Sequence, residues 1–182
     1  MARHYVAVDL GASSGRTIVG TLEGGKLTLK EMNRFWNGPT EINGRLFWDF
    51  VHLFRNITEG IALAKKEYGE GLVSMGIDTW GVDSGLLDAD GKLLGNPVNY
   101  RDSRTSGMFE KVFEKVPKAE VFNQTGIQFM ELNSLYQYMS MALEGSVQYK
   151  TAEKMLFVPD LLNYWLTGKM AAERTFASTS QF

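Results

Sequence analysis

A short segment near the start of the sequence combines residue types that could hold a phosphate group and a metal ion. Asp9–Arg16 reads Asp-Leu-Gly-Ala-Ser-Ser-Gly-Arg, so two hydroxyls and a guanidinium follow a carboxylate that ends an apolar run. Small residues let backbone N–H groups approach phosphate oxygens, and the hydroxyls add donors. The Asp9 carboxylate could hold Mg²⁺, partly through water, because this small, hard cation loses its water reluctantly. An ordinary hairpin with Asp9 in the turn fits the same residues, and spacing alone leaves both interpretations open.

A second segment, Gly76–Asp83, places an aromatic side chain beside exposed backbone. Asp78 interrupts an apolar run, and Trp80 and Gly81 follow it. A tryptophan face can pack on the C–H side of a sugar, while neighbouring carboxylates accept hydrogen bonds from hydroxyl groups. Taken alone, the segment fits a core tryptophan with aspartates in turns better than a sugar site.

Fixed charge is concentrated in a third segment, Tyr100–Thr105, which reads Tyr-Arg-Asp-Ser-Arg-Thr. One interpretation is a loop that contacts a polyol. The other is a helix N-terminus, capped by Asp102 or Ser103. In that case Arg101 and Arg104 pair with nearby carboxylates. The second interpretation is favoured for the arginines, and the role of Asp102 stays open.

Composition excludes several classes of protein. The chain has 182 residues, of which 44% are hydrophobic and 22% charged, and these values are typical of a globular domain. The net charge of -2 gives no basic surface for nucleic acid or for a membrane. The absence of cysteine excludes disulfides, thiol nucleophiles and thiolate metal sites, and it fits a reducing cytoplasm. No apolar run approaches membrane-spanning length.

The first three predicted strands must position the Asp9–Arg16 segment. Tyr5–Leu10 is apolar at alternating positions on both faces until Asp9, which is typical of a central strand covered on both sides. A strand pattern resumes over Arg16–Leu22. Gly24 and Gly25 make a turn, and Lys26–Phe35 follows as a third strand. The chain is therefore predicted to open with a β-meander.

A long amphipathic helix and a further strand are predicted next. Asp49 is a candidate N-cap, and the apolar residues behind it recur at steps of three and four: Phe50, Phe54, Ile57, Ile61, Ala64 and Tyr68. Gly69 and Gly71 end this helix, and Val73–Thr79 is an apolar strand. The order of elements predicts a mixed sheet with a right-handed crossover.

The second half of the sequence is more helical. Asp88–Gly91 predicts a hairpin turn between two Leu-Leu pairs. Three apolar stripes then predict helices. They cover Phe109–Val116, stopped by Pro117; Leu132–Leu143, capped by Asn133 or Ser134; and Leu161–Leu166, ended by Gly168.

Taken together, the first two segments resemble the N-terminal half of the FGGY carbohydrate kinases. The specific matches are Val6–Arg16 and Gly76–Asp83. Further matches occur in order along the chain, at Trp48–Asp49, Leu86–Asp88, Tyr100–Thr105, Gly126–Phe129, Leu135–Gln137, Pro159–Asp160 and Leu166–Gly168. The resemblance implies an α/β fold of the actin-like ATPase (ribonuclease H-like) class, with a mixed sheet that opens with a β-meander and is flanked by helices.

The resemblance also implies a role for individual residues. It places Asp9 in a Mg²⁺ site and Gly81 against a ketose, with Trp80 and Asp83 as neighbours. The contacts to ATP phosphates fall on Ala12, Ser13, Ser14, Gly15 and Arg16. The implied reaction transfers the γ-phosphoryl group of ATP to the 1-hydroxyl of L-rhamnulose, which requires positioning, charge neutralisation and a base for the attacking hydroxyl.

The base has no matching position in this sequence, because in this family the catalytic aspartate follows the N-terminal half. We therefore expect residues 1–182 to be an N-terminal FGGY-type kinase domain whose partner, a C-terminal lobe of the same protein, carries the base and the adenine pocket. Three alternatives stay open. The first is a kinase for another ketose, such as L-fuculose or L-xylulose, and the second is an actin-like nucleotide-binding scaffold without kinase activity. The third is a standalone regulatory or binding domain.

Overall fold

The computed structural model describes residues 2–182, which form two compact units. The first unit consists of residues 2–38 and Asp49–Trp80, and the second of Pro39–Trp48 and Gly81–Phe182. Each unit is therefore assembled from two separate stretches of the chain.

Five strands precede the first helix of the described chain, and most of its helices follow β7. The strands are β1 (Arg3–Leu10), β2 (Ser14–Glu23), β3 (Lys26–Trp36), β4 (Thr40–Ile42), β5 (Arg45–Phe47), β6 (Leu72–Asp78), β7 (Ser84–Leu87) and β8 (Lys154–Phe157). The α-helices are α1 (Phe50–Tyr68), α2 (Met108–Phe113), α3 (Lys118–Thr125), α4 (Ser134–Leu143), α5 (Val147–Thr151), α6 (Val158–Thr167) and α7 (Arg174–Ala177). None of the helices within residues 2–182 has the length and apolar character needed to cross a bilayer.

The first unit is built on a four-stranded mixed sheet in the order β3-β2-β1-β6. β1 pairs antiparallel with β2, and β2 pairs antiparallel with β3, which confirms the predicted β-meander. β6 returns after α1 and pairs parallel with β1, so the mixed sheet is also confirmed. The ends of β1 and β6 that carry Asp9 and Asp78 therefore lie side by side.

Helix α1 covers one face of this sheet. The Asp49 carboxylate accepts a hydrogen bond of 3.0 Å from the His52 N–H, which confirms the predicted N-cap. The helix ends at Gly69, whose φ of 54° suits glycine. The buried face consists of Phe50, Leu53, Ile57, Gly60 and Ala64. The buried stripe of α1 therefore includes Leu53 and Gly60, where the sequence pattern predicted Phe54 and Ile61.

The opposite face of the sheet is open within residues 2–182. Leu27 and Leu29 of β3 are 63% and 68% exposed, and Ala7 of β1 is exposed as well. The predicted double cover of β1 is therefore wrong for the described chain. Apolar side chains on both faces of a strand indicate that both can be buried, and they do not show which element buries them.

Gly60 lets α1 approach the sheet closely, and an alanine there is expected to destabilise the first unit. A Cβ atom at this position would lie 2.2 Å from Thr17 Oγ1 and 2.6 Å from Asn33 Oδ1. Asn33 is held by hydrogen bonds with Thr17 N–H and Asn56 O, so it cannot move aside freely. Helix propensity favours alanine by about 1 kcal/mol, whereas overpacking of this kind costs about 1–3 kcal/mol.

We therefore expect urea unfolding to show a net loss of stability for Gly60→Ala. The control is Gly76→Ala in β6, where an added Cβ would meet no atom within 4 Å. Equal stability of the two variants would contradict the close packing of α1 on β2.

The second unit contains two small two-stranded sheets, β4-β5 and β7-β8. The β4–β5 turn uses Asn43 and Gly44 at φ values of 51° and 76°, a pair suited to a tight hairpin. The turn predicted at Asp88–Gly91 is confirmed by a 3.0 Å bond from Asp88 N–H to Lys92 O. Its second arm forms only an isolated bridge, because the strand partner of β7 is β8.

The three predicted helices of this unit are α2, α4 and α6, and Gly168 ends α6 as expected. The buried residues of α4 are mainly polar, namely Ser134, Gln137 and Ser140 beside Tyr136. Asn133 occupies the N-cap position, but its side chain bonds to Gln128 O and Gln181 Oε1 instead of capping the helix. The predicted N-cap position is therefore confirmed, although the Asn133 side chain does not bond to the first turn of the helix.

Candidate active site

The connection between β1 and β2 forms the hairpin that carries the first candidate segment. Asp9 lies directly opposite Arg16 in the ladder, and the Gly11 N–H donates to Ser14 O at 2.9 Å to close the turn. The strand pairing on both sides fixes the ends of this loop. The side chains of Asp9 and Arg16 therefore lie close together where the two strands enter the loop.

Asp9 and Arg16 form an ion pair at the surface. Arg16 Nε and Nη2 donate to the same oxygen, Asp9 Oδ2, at 2.8 and 2.7 Å. The two side chains are 42% and 39% exposed, and pairs with this exposure contribute little to stability. Their position therefore leaves both groups accessible to a charged ligand.

Asn37 holds the loop, and the sequence patterns did not reveal it. Its Nδ2 donates to Gly11 O at 2.8 Å, and its own N–H donates to Ser13 O at 3.0 Å. Ser13 is exposed and Ser14 is half-buried, and the structure shows no hydrogen-bond partner for either hydroxyl among residues 2–182. These two hydroxyls remain available to donate to a phosphate. Asn37 lies 26 residues from Gly11, so no local motif indicates its role.

Gly15 is required by packing. A Cβ atom there would lie 2.4 Å from Phe35 Cζ and 2.8 Å from Leu10 Cδ2. Gly15 is buried, whereas Gly11 at the other end of the loop is exposed. Small residues were expected in this motif because they let the backbone approach phosphate oxygens. Of the two glycines, only Gly11 has the exposed backbone that this requires.

Asp78 joins Asp9 at the end of the sheet. The two residues are paired across the parallel strands β1 and β6, at one end of an open groove of about 450 Å³ that these strands line. Mg²⁺ is usually held by one or two carboxylates together with phosphate and water oxygens, so this donor set suits it. Within residues 2–182 no cluster of three or more metal-ligating side chains occurs, and the remaining oxygens would have to come from phosphate and water.

The second candidate segment contains an unusual backbone turn. Val82 has a φ of 69°, in the left-handed region that β-branched residues rarely adopt. The Asp83 N–H donates to Gly81 O at 2.9 Å, which closes a three-residue γ-turn around Val82. Residues in such conformations often occur at binding sites.

Asp83 is buried and accepts several hydrogen bonds inside the second unit. Its Oδ2 accepts from Trp48 Nε1 at 2.6 Å and from Tyr100 N–H at 3.1 Å. Its Oδ1 accepts from Gln137 Nε2 at 2.9 Å. These bonds suit a residue that holds the turn, and a direct contact between Asp83 and a sugar stays a prediction.

Gly81 and Trp80 are both half-buried. A Cβ atom on Gly81 would meet only Thr179 Oγ1, at 3.8 Å, so protein packing leaves room for a larger side chain. The Trp80 carbonyl accepts a 2.8 Å bond from the Thr79 hydroxyl. Contact of either residue with a sugar stays a prediction.

Asp102 in the third segment is a structural residue. It is buried, caps a short 3₁₀-helix by accepting from Arg104 N–H at 3.0 Å, and also accepts from Leu46 N–H at 2.8 Å. Burial alone would raise the pKa of Asp102, but these backbone bonds and the Arg45 guanidinium at 3.0 Å hold it below its ordinary value. The predicted cap is confirmed, and Asp102 stays ionised.

The arginines of this segment differ from the expectation. Arg104 Nη2 donates to the amide oxygen of Gln137 at 2.7 Å instead of to a carboxylate. Burial lowers the pKa of Arg104, and the negative charges of Asp83 and Asp102 oppose that shift. Arg101 lies over the Tyr100 ring at 5.3 Å. The carboxylate pairing predicted for Arg104 is therefore wrong, because the acidic residue Asp102 is taken by Arg45.

The chain belongs to the FGGY family of carbohydrate kinases, whose N-terminal domain matches residues 4–182. It is 47% identical over 181 residues to a rhamnulokinase of Bacteroides thetaiotaomicron, covering 100% of this chain and 37% of that protein. It is 41% identical over 177 residues to a rhamnulokinase of Bacillus subtilis, covering 97% of this chain and 36% of the relative. The chain thus spans little more than a third of the length of these relatives.

Solved structures of carbohydrate kinases share the fold. A gluconate kinase from Lactobacillus acidophilus superposes with a TM-score of 0.86 at 14% identity, over 100% of this chain and 36% of that one. A glycerol kinase from Plasmodium falciparum, solved with ADP, gives 0.76 at 18% identity, over 98% and 37% of the two chains. The α/β, actin-like ATPase (ribonuclease H-like) fold implied by the sequence motifs is confirmed.

Proposed function

We propose that the full-length protein phosphorylates L-rhamnulose at the 1-hydroxyl with ATP. The observation that carries this proposal is the 47% identity to a rhamnulokinase over the whole of this chain. The structural neighbours at 14–18% identity support the fold only. The present chain would supply the phosphate-binding hairpin and part of the sugar site.

The hairpin would bind the phosphates of ATP. Its candidate contacts are Ala12, Ser13, Ser14, Gly15 and Arg16. The hydroxyls of Ser13 and Ser14 would donate to phosphate oxygens, while Arg16 would place a positive charge beside them. Asn37 would keep the loop in shape through its bonds to Gly11 and Ser13.

Asp9 would hold Mg²⁺ on the phosphates, with Asp78 on the neighbouring strand as a second carboxylate. When bound, Mg²⁺ neutralises charge on the transferred phosphoryl group. The exposed ion pair of Asp9 with Arg16 would orient both side chains toward that site.

The sugar would contact Gly81, with Trp80 and Asp83 nearby. Gly81 has space beside it in which a ligand atom could lie close to the backbone. Trp80 would present an apolar ring to the C–H face of the ketose. Asp83 would act through the turn that it holds.

The base that accepts the proton of the 1-hydroxyl is proposed to lie outside this chain. Because the chain spans about 37% of its relatives, residues 1–182 would form the N-terminal kinase domain, and a C-terminal lobe would contribute the base and the adenine pocket. A cytoplasmic location of the whole enzyme stays a prediction.

A coupled ADP-release assay tests this proposal with the full-length protein and with residues 1–182. We expect the full-length protein to turn over L-rhamnulose faster than L-fuculose or L-xylulose, and we expect the shorter chain to match a no-enzyme control. A preference for another ketose would contradict L-rhamnulose as the substrate. Turnover by residues 1–182 would contradict the proposal that the base lies outside this chain. ATP-driven polymerisation without sugar phosphorylation would instead support an actin-like scaffold.

A further inference from the structure

The turn at Gly81 is held in a form that the chain would not adopt by itself. Val82 is β-branched and buried, yet its φ of 69° lies in the left-handed region. The γ-turn closed by Asp83 N–H and Gly81 O places this residue at its centre. Strained backbone of this kind persists only where the surroundings fix it, so the neighbours of Val82 must supply the constraint.

Helix α4 supplies one part of that constraint. The hydroxyl of Ser134 donates to Val82 O at 2.7 Å, and Gln137 Nε2 lies 3.4 Å from the same oxygen. Ser134 and Gln137 are three positions apart and therefore share one face of the helix. Both are buried, and the 2.7 Å bond from Ser134 fixes the carbonyl at the centre of the turn.

The carboxylate of Asp83 supplies the other part. Gln137 Nε2 donates to Asp83 Oδ1 at 2.9 Å, while Trp48 and Tyr100 donate to Oδ2. The same Nε2 also donates to Leu132 O at 2.8 Å, so its two hydrogens serve Asp83 and Leu132, and its 3.4 Å approach to Val82 O is the weakest of the three. Ser134 therefore holds the carbonyl of Val82, and Gln137 holds the carboxylate of the next residue.

Arg104 sets the orientation of that amide. Its Nη2 donates to Gln137 Oε1 at 2.7 Å. A guanidinium has only donors, so the amide oxygen must face it and the NH₂ group must face Asp83 Oδ1 and Leu132 O. Both of these partners are acceptors, and the network is therefore consistent in only one orientation of Gln137.

We propose that Gln137 and Ser134 are positioning residues for the sugar site, because they hold the strained turn that presents Gly81. This inference rests on the proposed function, which assigns the sugar contact to Gly81. Gly81 itself has room for a Cβ atom and no left-handed φ, so the strain lies in the neighbouring Val82. Once these bonds are lost, Val82 relaxes and Gly81 moves away from its ligand.

The test uses the full-length protein with L-rhamnulose. Gln137→Met keeps about the size of the side chain and removes both its NH₂ donor and the oxygen that accepts from Arg104, and Ser134→Ala removes the hydroxyl alone. We expect Gln137→Met to raise KM for the sugar by roughly tenfold or more while kcat changes by less than about threefold, since KM reports binding shared by ground and transition states. Ser134→Ala should give a smaller rise in KM.

Two further variants separate positioning from a general loss of structure. Ser140→Ala changes a buried hydroxyl on α4 that bonds only within the helix, to Gln137 O, and should leave KM unchanged. Adding Val82→Gly to Gln137→Met should bring KM back to within about threefold of wild type, because glycine adopts a positive φ without strain.

An unchanged KM in Gln137→Met, or no recovery with Val82→Gly, would overturn the inference. Failure of the wild-type protein to act on any ketose would instead reject the proposed function. In that event a crystal structure of full-length Gln137→Met decides the matter. A negative φ at Val82 supports the role of Gln137 in holding the turn, and a retained positive φ rejects it.

Discussion

Replacing Asp9 with asparagine is expected to lower kcat of the full-length enzyme by roughly 10²–10³-fold, the range seen when one preorganised electrostatic contact is removed from a reacting centre. Asparagine keeps an oxygen that can accept from Arg16, so the hairpin should retain its shape. It loses the negative charge that would hold Mg²⁺ on the phosphates. KM for the sugar should change little, because Asp9 is assigned to the metal and not to the ketose.

The control for this variant is Glu31→Gln in β3 of the same sheet, an exposed carboxylate paired with Arg34. It should leave kcat unchanged. A second measurement, Mn²⁺ binding by electron paramagnetic resonance in the presence of ADP, should show weaker binding only for Asp9→Asn. Unchanged kcat and unchanged Mn²⁺ affinity would show that the hairpin does not bind the metal–phosphate complex.

Enlarging Gly81 is expected to weaken sugar binding without unfolding the protein. Because a Cβ atom there would have only Thr179 Oγ1 nearby, at 3.8 Å, the protein itself should accept alanine. A misfit of one methyl group against a ligand changes binding by roughly 10–200-fold, so KM for L-rhamnulose should rise within that range for Gly81→Ala and further for Gly81→Val. The apparent affinity for ATP should not change.

Gly85→Ala provides the contrasting case. A Cβ atom at Gly85 would lie 2.6 Å from Leu161 Cδ2 and 2.8 Å from Leu93 Cδ1. This variant should lower the unfolding temperature, whereas Gly81→Ala should leave it within a degree or so, as is usual for substitutions that disturb no packing. A change confined to the ATP affinity of Gly81→Ala would reject the role assigned to Gly81.

The elements that position the two candidate segments could be predicted because each has a local signature. Asp49 and Gly69 mark the ends of α1, and Gly24 and Gly25 mark the β2–β3 turn. Strands β4, β5 and β8 were not predicted, since segments of three or four residues are too short to show a period. Their pairing depends on partners that are distant in the sequence.

The buried polar network was also beyond the reach of the sequence patterns. Gln137 and Ser134 lie between apolar residues of α4, and periodicity directs attention to the leucines. Asn37 acts through Gly11 and Ser13, which belong to another strand connection. A single polar residue gives no sign of which distant backbone group it will meet, and only the folded chain supplies that pairing.

The pairing of charged residues is also not determined by the sequence pattern, as the partner of Arg104 shows. Opposite charges predict a carboxylate partner, yet Arg45 reaches Asp102 and leaves Arg104 to an amide. Composition gives the number of charged residues, whereas the geometry of the folded chain determines which of them form ion pairs. The Tyr100–Thr105 segment therefore indicated where the charged loop lies, but not which residues its charged side chains contact.

The 2.6 Å bond from the Trp48 indole to Asp83 gives the second unit a built-in spectroscopic probe. The chain contains four tryptophans, so its indole N–H signals form a small set in a proton–nitrogen correlation spectrum. A short bond to a buried carboxylate deshields the donated proton and moves its resonance downfield. Ligand titrations can therefore be followed through one resonance next to the strained turn, without any label beyond nitrogen-15.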